Sequence, residues 1–328
     1  MNLQEKADAL IKDQLSSWPL LGANWRKLDE AQIKQFEFDG FIIRVQFNPK
    51  RIVSSAARVD KVSIQERQCF LCAENRPPEE KEVWADNDYE ILCNPFPIFR
   101  AHYTIAKAAH TPQVIESEFG RYLQLSRELP DLALFYNAPN CGASAPDHMH
   151  FQAGNRGFMP IEEELSSLKD QYGQVLLEER GLKVTAVADG LRRFYVMESD
   201  SIEQLKQFGT GAFRFLRELQ NGGEPMINML SYCRDGWQVL LFPRGRHRPW
   251  QYFEEGEKNI LLSPASVDMG GTLITPLEKD FKKISREDIK DIFSQVTFPA
   301  DHFELMNKLI NYLQTPLFFN AWIKTKAA

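Results

Sequence analysis

Apolar and polar residues alternate through FEFDGFIIRVQFNP, residues 36–49, which is rich in Phe and β-branched side chains and stops at the turn signal Asn48-Pro49. That pattern predicts a strand. Ahead of it, MNLQEKADALIKDQL carries apolar residues at helical spacing and predicts an amphipathic N-terminal helix. From Arg51 to Glu80 the periodicity is lost, and this polar stretch, closing at Arg76-Pro77-Pro78, reads as an ordered loop region. Strand-like runs return at 89–99 and 102–107, joined by a proline-containing turn, and are followed by helical spacing from about Pro112 to Leu129 and a further strand at 132–138. Loop 139–146 leads into HMHFQAGN, where a period of two places His148, His150 and Gln152 on the same face of one strand.

Beyond Pro160 the pattern predicts a helix at 161–178, strands within 192–199, 226–245 and 259–276, and closing helices at about 285–295 and 300–313. Gly270-Gly271 reads as a bulge or tight bend between strands, because no helix start follows it. The hairpin 226–245 echoes 89–107, which suggests a degenerate duplication with halves at 1–190 and 191–328 and no Gly/Ser linker between them. The fold class expected is α/β (α+β), built on antiparallel sheet.

Length leaves one large core or two modest ones open at 328 residues. Hydrophobic residues at 43% and 23 phenylalanines exclude a disordered chain. A net charge of −6 gives no chain-wide attraction to nucleic acid or an anionic membrane, so a phosphate-bearing ligand needs a local site. No leader-like pattern opens the sequence and no run approaches about 18 apolar residues, so the expectation is a cytoplasmic chain with no membrane partner. Five cysteines are too few and too uneven for a disulfide framework. Cys69-Phe70-Leu71-Cys72 points instead to metal or redox chemistry, and it does not open a helix after a strand as a thioredoxin-like pair would.

Two histidines on one strand face can be metal ligands, a nucleophile with a helper, or polar neighbours on a wet surface. The small-residue loop Gly142-Ala143-Ser144 directly before them lets backbone N–H groups approach a phosphate. The run HMHFQ resembles the HxHxQ signature of the transferase branch of the histidine triad superfamily, which includes galactose-1-phosphate uridylyltransferase, GDP-galactose phosphorylase and diadenosine tetraphosphate phosphorylase. CFLCAENRP resembles the zinc-binding segment of the uridylyltransferases, and NPFPIFRAHYTIA resembles the superfamily's strand–turn–strand. HMHFQA followed by MPIE is most similar to the GDP-galactose phosphorylases. These likenesses run in consistent order through about residues 40–165.

The resemblance implies a histidine-triad-like antiparallel sheet and a two-step nucleotidyl transfer. It makes His150 the nucleophile, and Gln152, which cannot titrate, the donor that favours transfer over hydrolysis. Ser144 and the backbone of Gly142 and Ala143 would meet phosphate oxygens, although a loop serine also bonds its own backbone. Asn94 and His102 would lie near base and ribose, and RIVSSAARVD (51–60) resembles a ligand-contacting segment. Arg51, Arg58 and Arg76 are candidate phosphate partners, since guanidinium pairs with phosphate bidentately. FPRGRHRP (242–249) crowds Arg244, Arg246, His247 and Arg248 into one loop, either a solvated turn or a phosphate clamp, with Arg244 the chosen substrate contact.

By the same resemblance Cys69, Cys72, His110 and His148 would close a structural zinc site, against the rival of two buried thiols and a surface His110. No organic cofactor is implied. The expected partners are a nucleotide-sugar or dinucleoside polyphosphate with phosphate or a sugar 1-phosphate as acceptor, and, by analogy, a second copy in a homodimer. A non-catalytic nucleotide-binding protein and a dinucleotide hydrolase are the alternatives.

Overall fold

A computed structural model describes residues 1–52 and 60–313. Its strands are β1 Gln32–Phe38, β2 Phe41–Phe47, β3 Glu82–Trp84, β4 Tyr89–Cys93, β5 His102–Lys107, β6 Leu132–Asn137, β7 His150–Asn155, β8 Gly173–Glu179, β9 Leu182–Ala188, β10 Arg193–Ser199, β11 Ile227–Cys233, β12 Trp237–Pro243 and β13 Thr272–Thr275. Ten of them form one sheet in the order β3-β4-β5-β7-β6-β11-β12-β10-β9-β8, antiparallel at every step. A small second sheet pairs β1 with β2, and β2 in parallel with β13.

The period-two pattern decides the layering. Along β6, Leu132, Leu134 and Tyr136 face a core closed by helices Leu3–Ser17, Ile115–Glu128, Ile202–Leu219 and Ala300–Tyr312. Ala133 and Phe135 face a second core, which holds the small sheet and helices Ile161–Tyr172 and Arg286–Val296. One large sheet therefore carries both cores.

The two halves of the sheet share one topology. Strands β3-β4-β5, helix Ile115–Glu128 and β6-β7 give the order 3-4-5-7-6; β8-β9-β10, helix Ile202–Leu219 and β11-β12 give 8-9-10-12-11. The halves meet at β6 and β11. The repeat restarts at β8, and β8 and β9 pair onward to β10, across position 190. The sequence echo between 226–245 and 89–107 joins the wrong partners: β11-β12 matches β6-β7, and β4-β5 matches β9-β10. Laid strand on strand (102–107 on 194–199, 132–137 on 227–232, 150–155 on 238–243), His150 falls on Gln238 and Gln152 on Leu240.

Several predicted elements need correction. Residues 36–49 are not one strand but parts of the hairpin β1–β2, turned at Asp39-Gly40. The run 89–99 stops being strand at Cys93, and the 161–178 helix ends at Tyr172 because β8 begins at Gly173. Segment 259–276 holds a short helix, Ser266–Met269, and one strand, so Gly270-Gly271 joins a helix to β13. Helix Ile202–Leu219 went unpredicted, since Gly209-Thr210-Gly211 breaks its pattern. A Cβ at Gly209 would lie 2.4 Å from Phe119 Cε1, so the glycine permits two crossing helices to touch. Among the described residues no helix is long and apolar enough to cross a membrane.

Candidate active site

His150 opens β7, and its backbone is held by a side chain that sequence reading missed. Gln113 Oε1 accepts from His150 N at 2.8 Å, and Gln113 Nε2 donates to His150 O at 2.8 Å. The imidazole Nδ1–H donates to His148 O at 2.8 Å, which fixes the tautomer. Burial pushes the imidazole down to about 4, so the ring is neutral near pH 7. Nε2 then carries an unprotonated lone pair on a residue that lines a cavity of about 670 Å³.

Gln152 lies two residues on and lines the same cavity. His102 Nδ1 accepts from Ile98 N at 3.3 Å, so its Nε2–H donates to Gln152 Oε1 at 3.1 Å. With its carbonyl held, Gln152 keeps the amide nitrogen for the cavity. This corrects His102's expected place beside a base and ribose: it is 1% exposed, stands behind Gln152 and does not line the cavity. Burial and nearby Arg51 lower its pKa to about 3. An unfolded histidine at the ordinary 6.5 binds a proton that the folded one refuses, so His102's contribution is complete above pH 6.5 and is lost as pH falls toward 3. Between pH 6 and 4, chemical denaturation should show the wild type losing about 2 kcal/mol more stability than His102→Gln. Parallel losses would place the titration elsewhere.

Of the other expected contacts, Arg51, Asn94, Gly142, Ala143 and Ser144 line the cavity. Arg51 donates to Phe96 O at 3.1 Å, and Asn94 Oδ1 accepts from Phe96 N at 3.0 Å. Arg58 lies outside the described residues. Arg76 is not on the cavity wall: its side chain pairs with Glu90 at 2.7 Å and donates to Leu71 O, stapling the CxxC loop to β4. Arg244 is likewise not on the cavity wall. Its buried guanidinium donates to Val296 O (2.8 Å), Pro264 O (2.9 Å) and the carbonyls of Arg246 and His247 (3.2 Å each). His247 and Arg248 line the cavity in its stead, and Arg67, which reading from sequence missed, joins them.

The opposite wall comes from segment 263–268, which reading as strand had hidden. Asn137 Oδ1 accepts from Ser266 N (2.8 Å), Ser266 Oγ (2.6 Å) and Asn228 Nδ2 (2.8 Å), tying that segment to the central strands. Asp268 accepts from Ala265 N and Ile274 N, and burial raises its carboxyl to about 6. Gly142 has φ +97°, and a Cβ there would sit 2.6 Å from Ala265 Cβ. Gly142→Ala should therefore cost about 1–3 kcal/mol in an unfolding titration, because both backbone and space refuse a methyl group. An unchanged midpoint would mean that the loop relaxes at no cost.

Two residues before His150, His148 joins a cluster in which the donor atoms of Cys69, Cys72, His110 and His148 lie within 4.8 Å of one another. His148 does not share the cavity face predicted for it, since it precedes β7 and turns toward the cysteines. Its Nε2–H donates to Lys107 O at 2.6 Å, leaving Nδ1 unprotonated 3.3 Å from Cys69 Sγ and 3.6 Å from Cys72 Sγ. His110 Nδ1 is 3.1 Å from Cys72 Sγ, and its Nε2 lies 3.6 Å from Asp147. Two sulfurs and two imidazole nitrogens, with the second nitrogen of His148 fixed by a carbonyl, make a donor set that could hold a metal ion. Burial and the neighbouring sulfur push the Cys72 thiol up to about 11, the condition a divalent cation would reverse.

Two family models match the sequence: "Domain of unknown function (DUF4922)" over residues 10–155, and "GDPGP1-like, C-terminal domain" over residues 166–314. Among curated proteins there is no significant match. The yeast Ap4A phosphorylase in complex with Ap4A superposes with a TM-score of 0.59 at 14% identity, over 90% of this chain and 98% of that one. The chain has the fold of the yeast Ap4A phosphorylase. The same yeast enzyme in complex with AMP agrees, with a TM-score of 0.57 and 16% identity over 91% of this chain and 98% of that one. Within this fold, β7 and the Gly142–Ser144 loop bring His150, Gln152 and the small-residue loop that sequence analysis singled out to one cavity, and the second half supplies more of its lining.

Proposed function

We propose that the chain is a nucleotidyltransferase working in two steps through a nucleotidyl-His150 intermediate, with a nucleotide-sugar as donor and phosphate as acceptor. The observation that carries this reading is the His150 ring, whose Nδ1–H is committed to His148 O while a neutral Nε2 is left to the cavity. Nε2 attacks the α-phosphorus, the bond from that phosphorus to the bridging oxygen breaks, and sugar 1-phosphate departs with the electron pair. Phosphate oxygen then attacks the same phosphorus, imidazole leaves, and a nucleoside diphosphate forms. Neither leaving group is strongly basic, so charge stabilisation matters more than proton transfer. Gln152, held by His102, offers an N–H to the phosphoryl oxygen in both steps.

The likeness of HMHFQA and MPIE to GDP-galactose phosphorylases and the match to the "GDPGP1-like, C-terminal domain" support a nucleotide-sugar donor. A dinucleoside polyphosphate would follow the same chemistry, and the yeast Ap4A phosphorylase of similar fold keeps it as the second reading. The metal held by Cys69, Cys72, His110 and His148 is read as zinc, closed by four protein ligands and therefore a fold element beside the active strand.

Intact-protein mass spectrometry after brief mixing with UDP-sugars, GDP-sugars and diadenosine tetraphosphate tests the proposal. A gain of one nucleoside monophosphate supports it and names the base. Binding of nucleotide with no gain from any donor leaves a non-catalytic binding protein, and rapid discharge in water without phosphate leaves a hydrolase.

A further inference from the structure

We infer that His247 and Arg248, carried into the cavity by the second half, form the subsite for the phosphate anion that leaves from and adds to the His150-bound nucleotide. The inference rests on the transfer reading above and deepens it. Both residues line the cavity that His150 and Gln152 line. Their loop follows β12, and its course is set by Arg244, which gathers the carbonyls of Arg246, His247, Pro264 and Val296 around one buried guanidinium. A further bond runs from Gly245 N to Val296 O at 3.1 Å. So many contacts on one side chain hold the loop in a single shape, as a binding element requires.

The tips of the two side chains differ from ordinary surface residues. His247 Nε2 is buried and has no hydrogen-bond partner among the described residues. A buried polar atom left that way costs about 1–3 kcal/mol, which a ligand oxygen would recover. The Arg248 guanidinium lies 4.2 Å from the centre of the Tyr252 ring, and its Nε donates to Ser263 Oγ at 3.1 Å, so its charge is aimed before a ligand arrives.

In a chain of net charge −6, a phosphate anion must be drawn by local cations, and the cavity lining carries Arg51, Arg67 and Arg248. Burial and the neighbouring arginines lower the His247 pKa to about 4, so near pH 7 it meets a phosphate oxygen as a neutral hydrogen-bond donor. In-line displacement run forward and back places the departing sugar phosphate and the incoming phosphate at the same position, so one subsite serves both.

Isothermal titration of the full chain with inorganic phosphate, comparing wild type, His247→Gln and Arg248→Gln, tests the subsite directly. Each variant should bind phosphate about tenfold more weakly at an unchanged melting midpoint. In stopped mixing of the preformed nucleotidyl-enzyme, the phosphate concentration for half-maximal discharge should rise by a similar factor. Variants that bind phosphate like the wild type overturn the subsite, even where the covalent adduct forms. Weakened phosphate binding in a protein that forms no adduct would keep the subsite and remove the transferase reading, so the two failures are distinct.

Discussion

Replacing His150 by glycine should abolish the covalent adduct and lower transfer by at least about 10⁴-fold, with the fold intact. The loss is that large because no neighbouring group can take over. Gln152 is an amide, His102 is turned away and held by Ile98 N and Gln152, and His148 is engaged with Lys107 O and the cysteines. The fold should survive because the imidazole makes one hydrogen bond to backbone, whereas the strand itself is clamped through its own N–H and C=O by Gln113. Mass spectrometry with the donor identified for the wild type reads the first half of this expectation, and circular dichroism the second. An adduct that persists in the glycine variant would move the nucleophile to another residue.

On the proposed zinc site, treatment with a chelator, or replacing Cys69 by serine, should lower the midpoint of thermal unfolding by about 5–10 °C and reduce the rate of adduct formation with it. The coupling is local. His148 would be a ligand through Nδ1, and its carbonyl is the acceptor that orients the His150 ring. Loosening His148 would therefore loosen the tautomeric anchor of the His150 ring two residues on. The CxxC loop is also pinned to β4 through Arg76 and Glu90, so its release would free an edge of the large sheet. Elemental analysis beside scanning calorimetry checks this. A protein without bound metal, whose melting is indifferent to chelator and to Cys69→Ser, would restore the rival of two plain thiols.

What the sequence disclosed and what it concealed differ in kind. That β7 and the small-residue loop share one cavity, and that two cysteines and two histidines cluster, was legible because short motifs carry their chemistry in residue type and spacing, as His150, Gln152 and Cys69 do. The helix at Ile202–Leu219 was not, because Gly209 answers a contact with Phe119 that only the folded chain makes. The same holds for Arg76 and Arg244: the sequence shows a cation, but whether it meets a ligand or buried carbonyls depends on loops packed from far along the chain. Gln113 stood in a stretch with no motif at all, and only its bonds to His150 reveal it.

On the proposed mechanism the repeated topology sets the stoichiometry of labelling. Position 238 holds glutamine and position 240 leucine where the matching strand has His150 and Gln152, so only one of the two copies carries the proposed nucleophile. Labelling should saturate at one equivalent per polypeptide, and pre-steady-state bursts should report the concentration of competent chains directly. On that mechanism the second copy is free of catalytic constraint, and substitutions along β12 should be judged by how they fit the two cores its side chains fill.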